Sequence, residues 1–267
     1  MPSARVNGVN LAYELHGTGD PLVLIHGAQS DRSIFANLLP DFVDQFQVLI
    51  FDQRGSGQSE KPDVEYTIGM IADDTAALMD HLDFSPAHVY GVSMGGMIAQ
   101  ELAIRHGAAA RSLVLGCTTP GGPQAVSLEG EAIRNSHSTA ALSAEERGRA
   151  LAETAFTKGY VEQHPELIPA LIEARKKQPL DPVGFARRMR AAYAHNTFDR
   201  LSQITCPTLV ITGKADALIA WENSQLLAEH IADSELVVLE PAGHVFWVEQ
   251  PERSREAILT FLQKQKG

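Results

Sequence analysis

The amino-acid sequence predicts an α/β protein: a mostly parallel central sheet flanked by helices, with a helical insertion. Three observations carry that reading. Short apolar runs recur along the chain with the composition of strands buried on both faces. Helical patterns stand between them, the alternation that builds a parallel sheet covered on both sides. One long segment, residues 118–202, breaks the alternation and contains no convincing strand.

In chain order, residues 6–16 alternate around Gly8, which predicts a β-hairpin. The compact runs are Leu22-Val23-Leu24-Ile25, Val48-Leu49-Ile50-Phe51, His88-Val89-Tyr90, Leu113-Val114-Leu115, Thr208-Leu209-Val210-Ile211 and Leu236-Val237-Val238-Leu239. Thr67 is the expected N-cap of a helix striped by Ile68, Ile71, Ala72, Thr75, Leu78, Met79 and Leu82. A second helix starts just after Ser93, with Met97, Ile98, Leu102 and Ile104 in its stripe. A last one spans about residues 252–265, with Ile258, Phe261 and Leu262 inward. The segment 118–202 opens on the turn-rich Thr119-Pro120-Gly121-Gly122-Pro123 and continues with helical patterns at 144–156, 167–177 and 183–195. The expected organisation is a core of residues 1–117 and 203–267, with 118–202 as a helical cap over the sheet rather than an independent domain.

Composition narrows the function. The 267 residues suit one large α/β domain, and 44% apolar content supports a sizeable core. The net charge of −11 repels phosphate backbones and anionic lipid, so nucleic acid and anionic membrane are poor partners. No apolar run reaches the ~18–20 residues of a membrane span, and no apolar h-region follows the first positive charge. Two cysteines, Cys117 and Cys206, are too few for a disulfide scaffold. The expectation is a cytoplasmic protein with both thiols reduced. Oligomeric state is not legible in these residues.

The chemistry centres on Gly91-Val92-Ser93-Met94-Gly95, a G-x-S-x-G pattern. Alone the pattern is weak, but it follows a strand run and precedes a helix, the setting it needs to expose a nucleophilic serine. A serine hydroxyl also needs an adjacent base, and the order expected with this motif is Ser, acid, His. Among ten histidines, His244 sits on a turn just past a late strand, after Pro241-Ala242-Gly243. His230 is the rival, but it falls inside a helical pattern. Asp216 lies directly beyond the strand 208–213, before a helix near Trp221; Asp181, Asp199 and Asp233 lie in or after helices. Oxyanion donors are expected at the backbone N–H groups of Met94 and Ala28, the latter on the loop His26-Gly27-Ala28-Gln29. His26 is read first as a structural residue bonding nearby backbone, and is kept with Val245 as a candidate substrate contact.

Five separated blocks then resemble the α/β-hydrolase family: 22–28 (LVLIHGA), 52–59 (DQRGSGQS), 91–96 (GVSMGG), 213–216 (GKAD) and 243–249 (GHVFWVE). The second matches the family's D-x-R-G-x-G-x-S through Asp52, Arg54, Gly55, Gly57 and Ser59, with Ser56 where many relatives have histidine. The resemblance covers the chain end to end. Within the family the chain looks similar to small esterases and enol-lactonases, whose caps have about this length. It implies a serine hydrolase cleaving small carboxylic esters or lactones through an acyl-enzyme, with Ser93 nucleophile, His244 base and Asp216 orienting the base. Ser93 departs from the aspartate of related dehalogenases and epoxide hydrolases. The loop 26–31 lacks the Gly-rich oxyanion loop usual in carbon–carbon bond hydrolases. No phosphate loop, H-E-x-x-H or dinucleotide fingerprint is present, so neither cofactor nor metal is expected.

Two other readings stay open: an enol-lactonase or carbon–carbon bond hydrolase acting on a carboxylate-bearing intermediate, and a slow-turnover ligand receptor on the same fold. A lyase is a third. Substrate charge turns on Arg187, Arg188 and Arg190. At about 100° per residue, Phe185, Met189, Ala192 and Tyr193 share a face, Arg187 lies opposite, and Arg188 and Arg190 flank it. With an acidic whole-protein field, that geometry predicts small, largely uncharged esters or lactones.

Overall fold

The computed structural model describes residues 1–127 and 142–265. Eight strands form one sheet: β1 (Ser3–Val6), β2 (Val9–His16), β3 (Asp20–Ile25), β4 (Phe46–Phe51), β5 (Ala87–Val92), β6 (Ala110–Gly116), β7 (Thr208–Gly213) and β8 (Ser234–Leu239). Their order is β1-β2-β4-β3-β5-β6-β7-β8. The hairpin β1–β2 is antiparallel and β2 pairs antiparallel with β4; every pairing from β4 to β8 is parallel. All six sequence runs are strands.

Side chains alternate across these strands with period two. Val23, Ile25, Val89, Leu113 and Val210 join one buried cluster; Leu22, Leu24, Tyr90, Val114 and Leu209 join another on the opposite face. Helices α2 (Ile68–His81) and α3 (Met94–Arg105) cover the first face, and α10 (Pro251–Lys264) covers the second with Ile258, Phe261 and Leu262. Each fully buried aliphatic side chain contributes roughly 1.5–3 kcal/mol, which makes the two-sided burial the main driver of the fold. Thr67 caps α2 as expected, its Oγ1 accepting from Met70 N at 3.0 Å.

Between β6 and β7 lie α4 (Ala144–Ala155), α5 (Lys158–Gln163), α6 (Leu167–Lys177) and α7 (Pro182–Tyr193). Ser143 and Glu146 form a capping box at the start of α4. Among the described residues this segment holds no strand, only an isolated bridge between Gly121 and Asn196. Residues 128–141 of the expected insertion lie outside the described residues. The short α5, and α9 (Phe246–Glu249), were not legible from periodicity, because they span only 6 and 4 residues. Among the described residues, no helix is long and apolar enough to cross a membrane.

Candidate active site

Four neighbouring parallel strands, β5 to β8, deliver Ser93, Cys117, Asp216 and His244 just beyond their carboxyl ends. This is where open α/β sheets bind ligands. Ser93 is the N-cap of α3 at φ 57°, ψ −124°. A non-glycine residue there is strained and persists only when its surroundings enforce it. They do: Ser93 N donates to Gly116 O and Ser93 O accepts from Thr118 Oγ1, both at 2.8 Å. The strand and helix can pass this closely because a Cβ at Gly91 would overlap the Gly95 carbonyl, and one at Gly95 the Ile25 carbonyl.

His244 Nδ1 and Asp216 Oδ2 are 2.7 Å apart and buried. The other carboxylate oxygen of Asp216 accepts from Leu218 N at 2.8 Å and Ile219 N at 2.9 Å, which fixes the acid's orientation. Burial pushes the His244 imidazole down. The Asp216 carboxylate, together with Cys117, outweighs it and holds the ring well above the ordinary histidine range. His230 is exposed on α8 (Glu222–His230), bonds the Leu226 carbonyl and packs on the Phe198 ring. It stands away from this pair.

Ser93 and the His244–Asp216 pair flank Cys117. Its N donates to Ile211 O, and its Sγ lies within 4.8 Å of the Asp216 and His244 donor atoms. Those three side chains have metal-ligand chemistry, but the His244 nitrogen nearest Asp216 is already spent on its hydrogen bond, so the arrangement reads as an acid–base pair. No hydrogen bond joins Ser93 Oγ to His244 in this geometry; such bonds commonly tighten only around bound substrate.

The loop 26–29 closes against the serine. A Cβ at Gly27 would sit 3.2 Å from the Ser93 Cβ. Neither Ala28 N nor Met94 N donates to a protein acceptor among the described residues. Met94 begins α3, where N–H groups have no intrahelical partner. His26 lies inside the fold. It is fully buried, one ring nitrogen 2.8 Å from Gly27 O and the other accepting from Gln53 N at 3.4 Å. Burial, aided by the Arg188 charge, lowers its pKa to about 3. These bonds tie the buried ring to neighbouring backbone, in keeping with its first, structural reading. Val245 is half-buried next to His244, its N donating to Ala155 O at 3.1 Å.

The remaining family blocks are latches. Asp52 accepts from Arg32 N at 2.9 Å, from the Arg32 guanidinium and from Gln58 N at 2.8 Å; Arg54 pairs with Asp74. Glu249 accepts from Gly243 N and Thr157 N, both at 3.0 Å, tying the histidine loop to the insertion. Sequence reasoning missed Arg175, whose Nη2 donates to Gln29 O at 2.8 Å, and Cys117. The carboxyl-end rule pointed to Cys117; no local signal marked Arg175.

The α7 arginines divide unexpectedly. Arg187 lies over the Tyr66 ring, pairs with Asp63 and donates to Pro62 O at 2.9 Å, and the exposed Arg190 pairs with Glu65. Arg188 is 1% exposed. The buried stripe is Gly184, Phe185, Arg188 and Ala191, while Tyr193 is exposed. The hydrophobic reading chose a neighbouring face because small residues at a close contact carry little apolar signal. A Cβ at Gly184 would overlap the Gly55 carbonyl, and position 188, one turn on, shares that face.

The family model for the alpha/beta hydrolase fold matches residues 20–251. A 3-oxoadipate enol-lactonase from Acinetobacter baylyi is 30% identical over 264 residues, covering 96% of this chain and 94% of its own. The solved enol-lactonase from Burkholderia xenovorans superposes with a TM-score of 0.86 at 28% identity, over 98% of this chain and 100% of that one. A thermophilic esterase from Thermogutta terrifontis gives 0.82 at 29% identity, over 99% and 97%.

Proposed function

The chain belongs to the α/β-hydrolase family, and on that premise we propose that it hydrolyses small carboxylic esters or lactones by two-step acyl transfer. One observation carries the reading: a buried His244–Asp216 pair at 2.7 Å stands two strands from a serine held at positive φ on a strand-to-helix turn. His244 takes the Ser93 proton as Oγ attacks the carbonyl carbon. Asp216 holds the imidazole tautomer and stabilises the imidazolium. The N–H groups of Ala28 and Met94 receive the oxyanion. The leaving alcohol departs with the proton from His244, and water, deprotonated by the same residue, releases the acid. Helices α4 to α7, between β6 and β7, act as the cap over this site. The names of the similar proteins, an enol-lactonase and an esterase, fit that substrate range.

A fluorophosphonate probe followed by peptide mass spectrometry tests the assignment. Labelling is expected on Ser93, together with loss of p-nitrophenyl acetate hydrolysis. Full labelling with activity retained, or labelling at another serine, sinks it.

A further inference from the structure

Helix α7 lies against the loop after β4 through the Gly184–Gly55 contact, and the same face turns Arg188 inward. The Arg188 Nε and Nη1 are buried, and neither meets an acceptor. Among the described residues no carboxylate lies within ion-pair distance of it. Burying a guanidinium with unmet donors is costly, and a fold gains nothing from it unless something else completes the site. The side chain borders a pocket of about 330 Å³ shared with Asp31, Ser56, Gly57 and Lys61. A larger pocket, of about 470 Å³ around Glu14, Arg32 and Leu39, lacks Arg188; Ser93 is in the wall of neither, and Arg188 is tied to the site through its charge on the His26 ring and through the chain that joins Asp31 to Ala28.

We propose that Arg188 binds a carboxylate of the substrate, so that the preferred ester or lactone is an anion. This rests on the acyl-transfer reading above and names its substrate class. It replaces the uncharged substrates expected from the helical wheel.

The surroundings select the ligand. Asp31 and Asp181 both border the pocket, but each is engaged as a helix cap: Asp31 accepts from Ser33 N at 2.9 Å and Asp181 from Gly184 N at 2.6 Å. Lys61 Nζ is turned to the Gly57 and Ser59 carbonyls. Arg188 is the cation there whose buried donors meet no acceptor. Burial lowers its pKa to about 10 against the pull of Tyr66, Asp31, Asp52 and Asp181, which leaves it charged at neutral pH. Two nearby acids oppose a phosphate dianion more strongly than a carboxylate monoanion, which favours the carboxylate. The distance is short. Asp31 is three residues beyond Ala28, so at most about 11 Å of chain separates the pocket wall from the oxyanion donor. One small diacid monoester spans that.

The test compares kcat/KM for mono-p-nitrophenyl glutarate with that for p-nitrophenyl pentanoate, on the same preparation. The ratio cancels any loss of active fraction. The wild type is expected to favour the anion at least about tenfold, and Arg188→Gln to cut the ratio by about 10–100-fold, the worth of charge-assisted hydrogen bonds. Arg188→Lys, which keeps charge but loses the planar fork, is expected in between and serves if the glutamine variant does not fold. Arg190→Gln is expected to leave the ratio alone. A wild-type preference for the neutral ester, or a ratio unmoved in both Arg188 variants, overturns the proposal. If the wild type hydrolyses neither ester, acyl transfer itself falls and binding decides Arg188 separately. Glutarate is then expected to raise the Tm of Ser93→Ala protein but not of the Ser93→Ala/Arg188→Gln pair. An equal rise in both, no rise in either, or a larger rise with inorganic phosphate counts against the carboxylate site.

Discussion

The two halves of this site are built differently. Along the carboxyl edge of the sheet, every functional group sits within three residues of a parallel strand, or on the turn or capping position that follows it. Ser93 is one residue past β5, Asp216 three past β7, and the loop carrying His244 follows β8. Their geometry is local, set by strand ends, tight turns and backbone caps. Across the site, α7 presents Arg188 through a contact between two glycines, Gly55 and Gly184, that are 129 positions apart in the chain. One half derives its precision from the sheet, the other from packing between distant segments. On the proposed reading, reaction type and substrate choice are physically separable: turn geometry would govern the first, and the seating of one helix the second.

Substitutions on the sheet edge are expected to have the largest effects. Ser93→Ala should lower ester hydrolysis by at least about 10³-fold with the fold intact, since removing a triad member leaves only oxyanion-hole and binding catalysis. Substantial activity in a folded, contaminant-free Ser93→Ala preparation would show that the nucleophile lies elsewhere. His244→Ala should match it while His230→Ala stays near wild type, measured with the same ester.

Asp216→Asn is expected to cost about 10³–10⁴-fold in kcat by losing the correct tautomer. It also sharpens the comparison through pH. His244 must be neutral to accept a proton, and Asp216 raises its pKa. The acid limb of the wild-type profile should therefore lie above the ordinary imidazole value of about 6.5, with activity lost as pH falls through it. Removing the carboxylate charge takes away the largest upward pull and leaves burial opposed only by Cys117, so the limb of Asp216→Asn should move to lower pH. A limb that stays put separates the two residues.

The seating of α7 predicts a smaller effect of another kind. Gly184→Ala drives a Cβ into the Gly55 carbonyl and should destabilise by about 1–3 kcal/mol, as overpacking does. Thermal unfolding should report a lower Tm, and the anion-to-neutral ratio should fall further than the rate on the neutral ester. A ratio that holds while Tm drops would detach substrate choice from this contact.

The smallest expected effect is none. Incubation with EDTA should leave ester hydrolysis unchanged, because the Cys117, Asp216 and His244 donors are arranged as an acid–base pair and neighbour. Loss of activity that a divalent cation restores would mean that the sheet edge holds a metal.

Local information was enough to read most of this protein from its residues. Period-two and fully apolar runs specify strands because a strand's neighbours on each face are set by its own alternation. Thr67 caps α2, and a glycine-flanked serine between strand and helix has few conformations open to it. The order Ser93, Asp216, His244 is likewise a one-dimensional property. Tertiary structure alone decided the rest. The structural reading of His26 lacked a partner until the fold brought Gln53 N, on the neighbouring strand's loop, to its ring. Arg188, not Arg190, turned inward because α7 rotates to bring Gly184 against Gly55, and a hydrophobic wheel cannot weigh a glycine that packs by having no side chain. Cys117 and Arg175 reached the site through strand order and helix docking, which no window of sequence contains.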